Sequence, residues 1–261
     1  MAHNVSMVKE LAPNQGVSYM FFNGDGNFPI KVGAREGEKL GEIYAGTLYK
    51  RDENGNMIVN KQGRPTKVSG EDAFQYTLDH PIGNIEPDLL MSVSLSFTYK
   101  GFTLSALFDM KFGGDIVSVS EAMATSTGLA ARTANRGNAE NGWKIVAPGV
   151  TADGTVNSTA MNAQRYYTSM SGMAEEFVYD ASFIKLKELS LGYSFPKSIL
   201  KKTPLTSLNV AFVARNLAYL MKHTPRTSPE GGYDTSMFSQ AIDYMSVPYT
   251  RTFGLSINLG F

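Results

Sequence analysis

Long runs of alternating apolar and polar residues restrict this chain more than any other feature. From Leu89 to Tyr99 the odd positions Leu89, Met91, Val93, Leu95, Phe97 and Tyr99 are apolar, while Ser92, Ser94, Ser96 and Thr98 fill the even ones. After a tight turn at Lys100-Gly101 the pattern resumes. Phe102, Leu104, Ala106, Phe108, Met110 and Phe112 share one side, opposite Thr103, Ser105, Asp109 and Lys111, with Leu107 the exception. Leu208, Val210, Phe212 and Ala214 alternate with Asn209, Ala211, Val213 and Arg215. The terminal run Tyr249–Phe261 places Phe253, Leu255, Ile257, Leu259 and Phe261 on one parity. Successive side chains of a strand point to opposite faces, so each run reads as a strand with one oily and one polar face. About 9–11 tilted residues suffice for a strand to cross a bilayer. A lysine or arginine facing lipid at mid-depth costs roughly 2–4 kcal/mol, and Asp109, Lys111 and Arg215 all stand on the polar parity. One segment is less regular: Leu189, Leu191, Tyr193 and Phe195 share a parity that Ile184 and Leu186 do not. That slip predicts a bulge near Lys187, or a strand top clear of the apolar zone.

The connections carry independent information. Between Tyr99 and Phe102 the link is minimal, and between Phe195 and Leu205 it is short, whereas Gly113–Asp180 and Ala218–Val247 are long, polar and glycine-rich. Short and long links alternate, as in an outer-membrane barrel with short periplasmic turns and long extracellular loops. The barrel strands then fall within residues 88–112, 182–217 and 248–261. Residues 12–87 and 113–180 become long outer loops, the first reached from a strand whose last turn is His3–Lys9. Within the first loop, Asn54-Gly55 reads as a type I′ turn between Tyr49 and Met57-Ile58-Val59. Asp52-Glu53-Asn54-Gly55-Asn56 imitates a calcium loop but lacks the bidentate glutamate at position twelve. Gly24-Asp25-Gly26 reads as a turn, since no helix follows to make a phosphate cradle.

Composition narrows the function classes. Lys plus Arg is 24 and Asp plus Glu is 24 among 261 residues, a balance without the basic excess of a nucleic-acid binder. Hydrophobic residues at 43% exclude a disordered chain. Cysteine is absent, so thiolate chemistry and disulfides are excluded. No run reaches the roughly 18 apolar residues of a membrane helix. Met1–Leu11 lacks the basic start and apolar core of a signal peptide, so the beginning of an exported gene product is not expected here. His3, His80 and His223 are scattered without ligand spacing, and no nucleophile elbow, Walker loop or dinucleotide fingerprint occurs. No metal, cofactor or catalytic residue is expected.

Several stretches, in order, resemble the C-terminal end of the SusC/RagA family of TonB-linked outer-membrane transporters. They are Phe183–Pro196, Leu208–Leu217 with its Arg215-Asn216-Leu217, and Pro248–Phe261. Upstream, Ile82–Asp88 and Phe112–Asp115 are similar to that family's entry to one barrel strand and exit from the next, and Gly37–Tyr49 and Asn54–Pro65 to its glycine-rich loop. Ser228-Pro229-Glu230 departs from it, the family more usually carrying Asp before Pro-Glu. The resemblance implies an all-β fold: the C-terminal part of an antiparallel transmembrane β-barrel with long extracellular loops, incomplete as a barrel. About six strands can be placed, against about 22 in plugged transporters. Plug, energy-coupling segment and remaining strands would lie outside this fragment, which alone should not transport. The resemblance further implies a SusD-like surface lipoprotein on the outer loops, contact with TonB only through the missing N-terminal part, and a terminal strand read by the barrel-assembly machinery. The remaining surroundings would be outer-membrane lipid.

Substrate contact is expected at aromatic residues of the loops: Trp143, Tyr166, Tyr167 and Tyr233, with Phe238 and Tyr244 further along. Such rings stack on a sugar or peptide, and amides such as Asn141 and Gln164 would supply hydrogen bonds. The same rings would also serve to pack the loops together or to meet a covering partner, so both readings stay open. Tyr99, Tyr193 and Tyr249 near strand ends fit an interfacial girdle. The functional expectation is part of a TonB-dependent outer-membrane importer of glycan or peptide fragments. Alternatives are a small passive porin-like barrel and a soluble β-sandwich that binds carbohydrate.

Overall fold

The computed structural model describes residues 1–3, 5–11, 16–22, 28–232, 237–240, 242–247 and 249–261, with only the backbone described at 237 and 238. Tyr233, the Phe238 side chain and the Gly24-Asp25-Gly26 turn lie outside the described residues. The alternating runs form one six-stranded antiparallel sheet. Its strands, in both chain and spatial order, are β1 (Ala2–His3), β2 (Leu89–Tyr99), β3 (Phe102–Phe112), β4 (Phe183–Ser194), β5 (Ser207–Lys222) and β6 (Thr252–Gly260). The sheet is open: β1 and β6 are its edges, and the described residues form no closed barrel.

Register aligns the oily parities. Leu95 faces Ala106, Ala106 faces Leu189, Leu189 faces Ala214, and Ala214 faces Phe253. One row further toward the short turns, Phe97, Leu104, Leu191, Phe212 and Leu255 are partners in turn. The parity slip in β4 has a structural cause. Glu188 faces Leu107 and Leu186 faces Phe108, so Lys187 is an extra residue in β4. The bulge returns Ile184 and Leu186 to the oily face, opposite Met110 and Phe108. On the other side Glu188 faces Arg215 and Leu186 faces Ala218, so Asn216 and Leu217 bulge from β5. Asn216 has φ +54°, a left-handed conformation that asparagine tolerates better than most residues.

Four expectations are corrected. The strand expected to end at Leu217 continues to Lys222, because the bulge rather than a loop absorbs the break in pattern. The first strand ends at His3 rather than running toward Lys9. The Asn54-Gly55 turn is not type I′, which needs positive φ at both central residues. Only Gly55 has it, and the Gly55 amide donates to Asp52 O, so this is a type I turn closed by a left-handed glycine. The type I′ geometry lies instead at Lys100 and Gly101, with φ +48° and +89°. Finally, the chain is mostly strand but not all-β. Helices α1 (Glu71–Asp79), α2 (Val119–Ser126) and α3 (Ala163–Met170) occupy the long connections. Ser118 and Asn162 cap α2 and α3, accepting from the amides of Glu121 and Arg165.

The buried residues of the molecule lie almost wholly in those connections. One cluster gathers Ile30, Val32, Ile43, Leu48, Val117 and Ile242; a second joins Ala122, Met161, Tyr166, Tyr167, Met170 and Phe177. Short strands link them. Asp115–Ser118 pairs antiparallel with Val178–Asp180 and parallel with Ile242–Asp243, and the Ser118 hydroxyl donates to Asp243 Oδ2 at 2.8 Å. The long connections are therefore a packed layer rather than bare loops.

Candidate functional site

The two faces of the six-stranded sheet differ in chemistry. On the oily face Leu95 is 56%, Phe97 79%, Phe212 51% and Leu255 65% exposed, and neither buried cluster draws on that central stripe. Exposed apolar patches on monomeric soluble proteins rarely exceed a few hundred Å², whereas here Phe97, Leu104, Leu191, Phe212 and Leu255, each about half exposed or more, follow one another across five strands. The 11 residues of β3, at about 3.4 Å each and tilted about 40°, rise roughly 28 Å, against an apolar band of about 25 Å in outer-membrane barrels. At the short-turn end the rings form a chain: Phe102 lies 4.6 Å from Tyr193, and Tyr193 4.9 Å from Phe195. Tyr99, paired with Phe102, extends it.

The polar face is laced by cross-strand hydrogen bonds. Ser92 donates to Asp109 at 2.8 Å, the Ser96 and Ser105 hydroxyls are 3.1 Å apart, and those of Thr98 and Thr103 are 3.2 Å apart. Lys187 reaches Asp109 at 2.7 Å and Arg215 reaches Glu188 at 2.7 Å, so two ion pairs cross between β3, β4 and β5 on this side. A segment from the last long connection folds against it. Lys185 donates to Glu230 Oε2 at 2.6 Å, the Tyr219 hydroxyl donates to the same oxygen at 2.5 Å, and the Lys185 ammonium lies 4.7 Å from the Tyr249 ring centre. Ser228 accepts from the Glu230 amide at 3.3 Å and its hydroxyl lies 2.8 Å from that of Tyr219. It thus closes the turn that an aspartate would close at this position. Pro229–Gly232 and the polar residues Ser92, Asp109 and Lys111 share the lining of a 660 Å³ cavity.

The aromatic residues expected to contact substrate separate into two groups. Tyr166 and Tyr167 are 7% and 8% exposed, with rings 5.1 Å apart at 67°, and they pack the second buried cluster. The helical spacing of α3 turns both inward. Burial pushes the Tyr166 phenol up to about 12, with Glu176 adding to the rise. Burial also raises the Tyr167 phenol, while Arg136 and Arg132 act the other way. Tyr167 donates to the carbonyls of Arg132 and Asn135 at 3.0 and 3.3 Å. Trp143 is different. Half exposed and held at φ +55°, it has its amide on Asn138 O and its carbonyl accepting from Ala163. It lines a 630 Å³ cleft together with Gln164, Arg136, Asn162 and one edge of Tyr167. Asn141 is spent on its own turn, accepting from Asn138 and donating to Lys144 O. Arg136 and Asn162, which line the same cleft, carry no sequence signature of binding: one is an arginine in a polar loop and the other a helix cap. Among the described residues no group of acidic, histidine or cysteine side chains could hold a metal ion.

Comparison with known proteins follows this geometry. No family model matches the chain. Two proteins of Formosa agariphila, TonB-dependent receptor P3 and TonB-dependent receptor P39, are 27% and 25% identical to it over 253 and 254 residues, 94% and 96% of this chain. The chain spans about a fifth of their length, 22% of each. Among solved structures, the RagAB peptide transporter superposes with TM-score 0.60 at 17% identity, over 99% of this chain and 26% of that one. The RagAB peptide importer in its open-open state gives 0.56 at 19% identity, over 97% and 25%. These relatives are named as receptors and importers, not as enzymes.

Proposed function

We propose, from the premise that this chain is a SusC/RagA-like segment of a TonB-dependent receptor, that it forms one part of an outer-membrane barrel importing glycan or peptide fragments. The observation that carries this reading is the oily stripe, continuous in register across β2 to β6 and covered by no protein layer among the described residues. Lipid is the solvent such a stripe fits, and the hydrogen-bonded opposite face suits a polar lumen. The edges β1 and β6 would be closed by strands elsewhere in the full-length protein, since an open edge in hydrocarbon leaves backbone groups unsatisfied. The packed layer of connections sits where all the long links emerge and would form the outer rim. There the Trp143 cleft meets substrate and a SusD-like surface lipoprotein docks. The terminal strand, with Phe253, Leu255, Ile257, Leu259 and Phe261 on the lipid side, would be the segment read by the barrel-assembly machinery. TonB would engage only the portion outside this chain.

A soluble carbohydrate-binding sandwich would need a second sheet on the oily stripe, and among the described residues none is there. Fractionation of cells producing the protein tests the proposal. Recovery in an outer-membrane fraction that resists carbonate washing and needs detergent is expected, and recovery in the aqueous phase would refute it.

A further inference from the structure

The lining of the Trp143 cleft restricts what can bind there; this inference rests on the cleft being a substrate-contacting surface. We propose that the cleft takes a short glycan bearing a carboxylate or sulfate, with a sugar ring stacked on Trp143 and the anionic group paired with Arg136.

Arg136 is the one charged residue lining the cleft, and no carboxylate lines it. Its Nη1 donates to Gly128 O at 3.3 Å, and it makes no ion pair among the described residues. The rest of the guanidinium fork is left for a ligand. Gly128 leaves it room: φ is +76° there, and a Cβ would come within 2.9 Å of Arg136 Nη1.

The hydroxyls around the cleft are already used as donors. Thr125 donates to Glu121 O, Ser126 to Met123 O and Thr133 to Ala130 O, at 2.7 to 2.8 Å. The spare donors are Arg136, the side-chain amides of Gln164 and Asn162, and the Trp143 indole N–H. A cleft with spare donors, one cation and no anion favours a ligand rich in acceptors and negatively charged. The flat, half-exposed indole supplies the apolar surface that the C–H face of a pyranose ring needs. Ala163 is the only aliphatic side chain in the lining, so the cleft offers no apolar pocket for the aliphatic side chains of a peptide.

Trp143 is the sole tryptophan of these 261 residues, so in the full-length protein, with every tryptophan outside them changed to phenylalanine, emission reports this cleft alone. The protein in a sugar-free zwitterionic detergent is titrated with trigalacturonate, a sulfated galactose trisaccharide, maltotriose and tri-aspartate, for the wild type and for R136Q. Circular dichroism checks that R136Q, altered at an exposed position, keeps its strand content. The expected result is saturable change with at least one anionic trisaccharide, binding at least tenfold tighter than maltotriose, and loss of that tenfold preference in R136Q. Whichever anionic trisaccharide responds identifies the charged group. Equal affinity for maltotriose, or an unchanged preference in R136Q, overturns the anionic assignment while leaving the cleft a glycan site. Saturation by tri-aspartate alone overturns the sugar assignment, and no response to any probe overturns the reading of the cleft itself.

Discussion

Placing a charge on the oily stripe separates lipid exposure from water exposure. Leu95 stands one residue from the middle of β2 on the oily parity, and Ser94 beside it faces the polar side. In a bilayer Leu95→Arg forfeits about 1.5 kcal/mol of leucine burial and costs roughly 2–4 kcal/mol for an arginine at mid-depth. The sum, roughly 3.5–5.5 kcal/mol, is a shift of between about two and four powers of ten in the folding equilibrium. Ser94→Arg meets the polar face, where position 94 pairs with Leu107 between the Ser92–Asp109 and Ser96–Ser105 contacts, and should cost less than about 1 kcal/mol. Urea titration of the full-length protein in lipid vesicles, with Trp143 as its one tryptophan, followed by Trp143 emission and circular dichroism, measures both. In water the two substitutions would be nearly equivalent, because Leu95 is already more than half exposed. Equal costs for both, or a cost below about 1 kcal/mol for Leu95→Arg, would refute a lipid-facing stripe.

Other outcomes follow from particular contacts. Lys185→Met strands Glu230 beside Tyr219 without its cation, and loss of a buried partner costs roughly 3–5 kcal/mol; the urea midpoint should fall and protease cutting within residues 223–247 should rise, with Glu230→Gln added to Lys185→Met recovering part of the loss. Asn216→Val forces a β-branched residue into a left-handed conformation and should cost about 1–2 kcal/mol, whereas Asn216→Gly should be near neutral in the same assay. Asp180 sits 2.5 Å from His223 and accepts from the Ser182 amide at 2.8 Å. Burial raises its carboxyl, but the Ser182 bonds and His223 outweigh that and hold it below the ordinary value. The charged form is therefore favoured by folding, so its contribution is present above the unfolded value and lost as pH falls through the lowered one. Asp180→Asn should flatten the acid branch of the stability curve, and an unchanged branch would contradict the assignment.

The sheet was legible because period two survives wherever one face is oily and the other polar. The parity slip at Ile184 and Leu186 left open a bulge near Lys187 or a strand top clear of the apolar zone, and the register against β3 selects the bulge. Asn216 and Leu217 hid the continuation of β5 because a two-residue bulge imitates the end of a strand. The packed layer of connections was not legible. Glu42–Ala45 and Thr47–Tyr49 are three or four residues long and buried throughout, so no alternation marks them. Tyr166 and Tyr167 looked like binding residues in a polar stretch, but α3 turns both toward Phe177 and Met161. Trp143 stands out in the sequence because it is the sole tryptophan; Arg136 lines the same cleft only through the fold.

Lipid contact itself can be measured residue by residue in the full-length protein: these 261 residues hold no cysteine, and with any cysteine outside them replaced, single cysteines can be introduced and labelled without background. Environment-sensitive labels at Leu95, Leu104 and Leu255, and at Ser94, Ser105 and Ser256, are read in vesicles of brominated lipid. Strong quenching is expected at the three leucine positions and little at the three serine positions. Quenching that ignores this alternation, or that is absent from both sets, would contradict lipid contact.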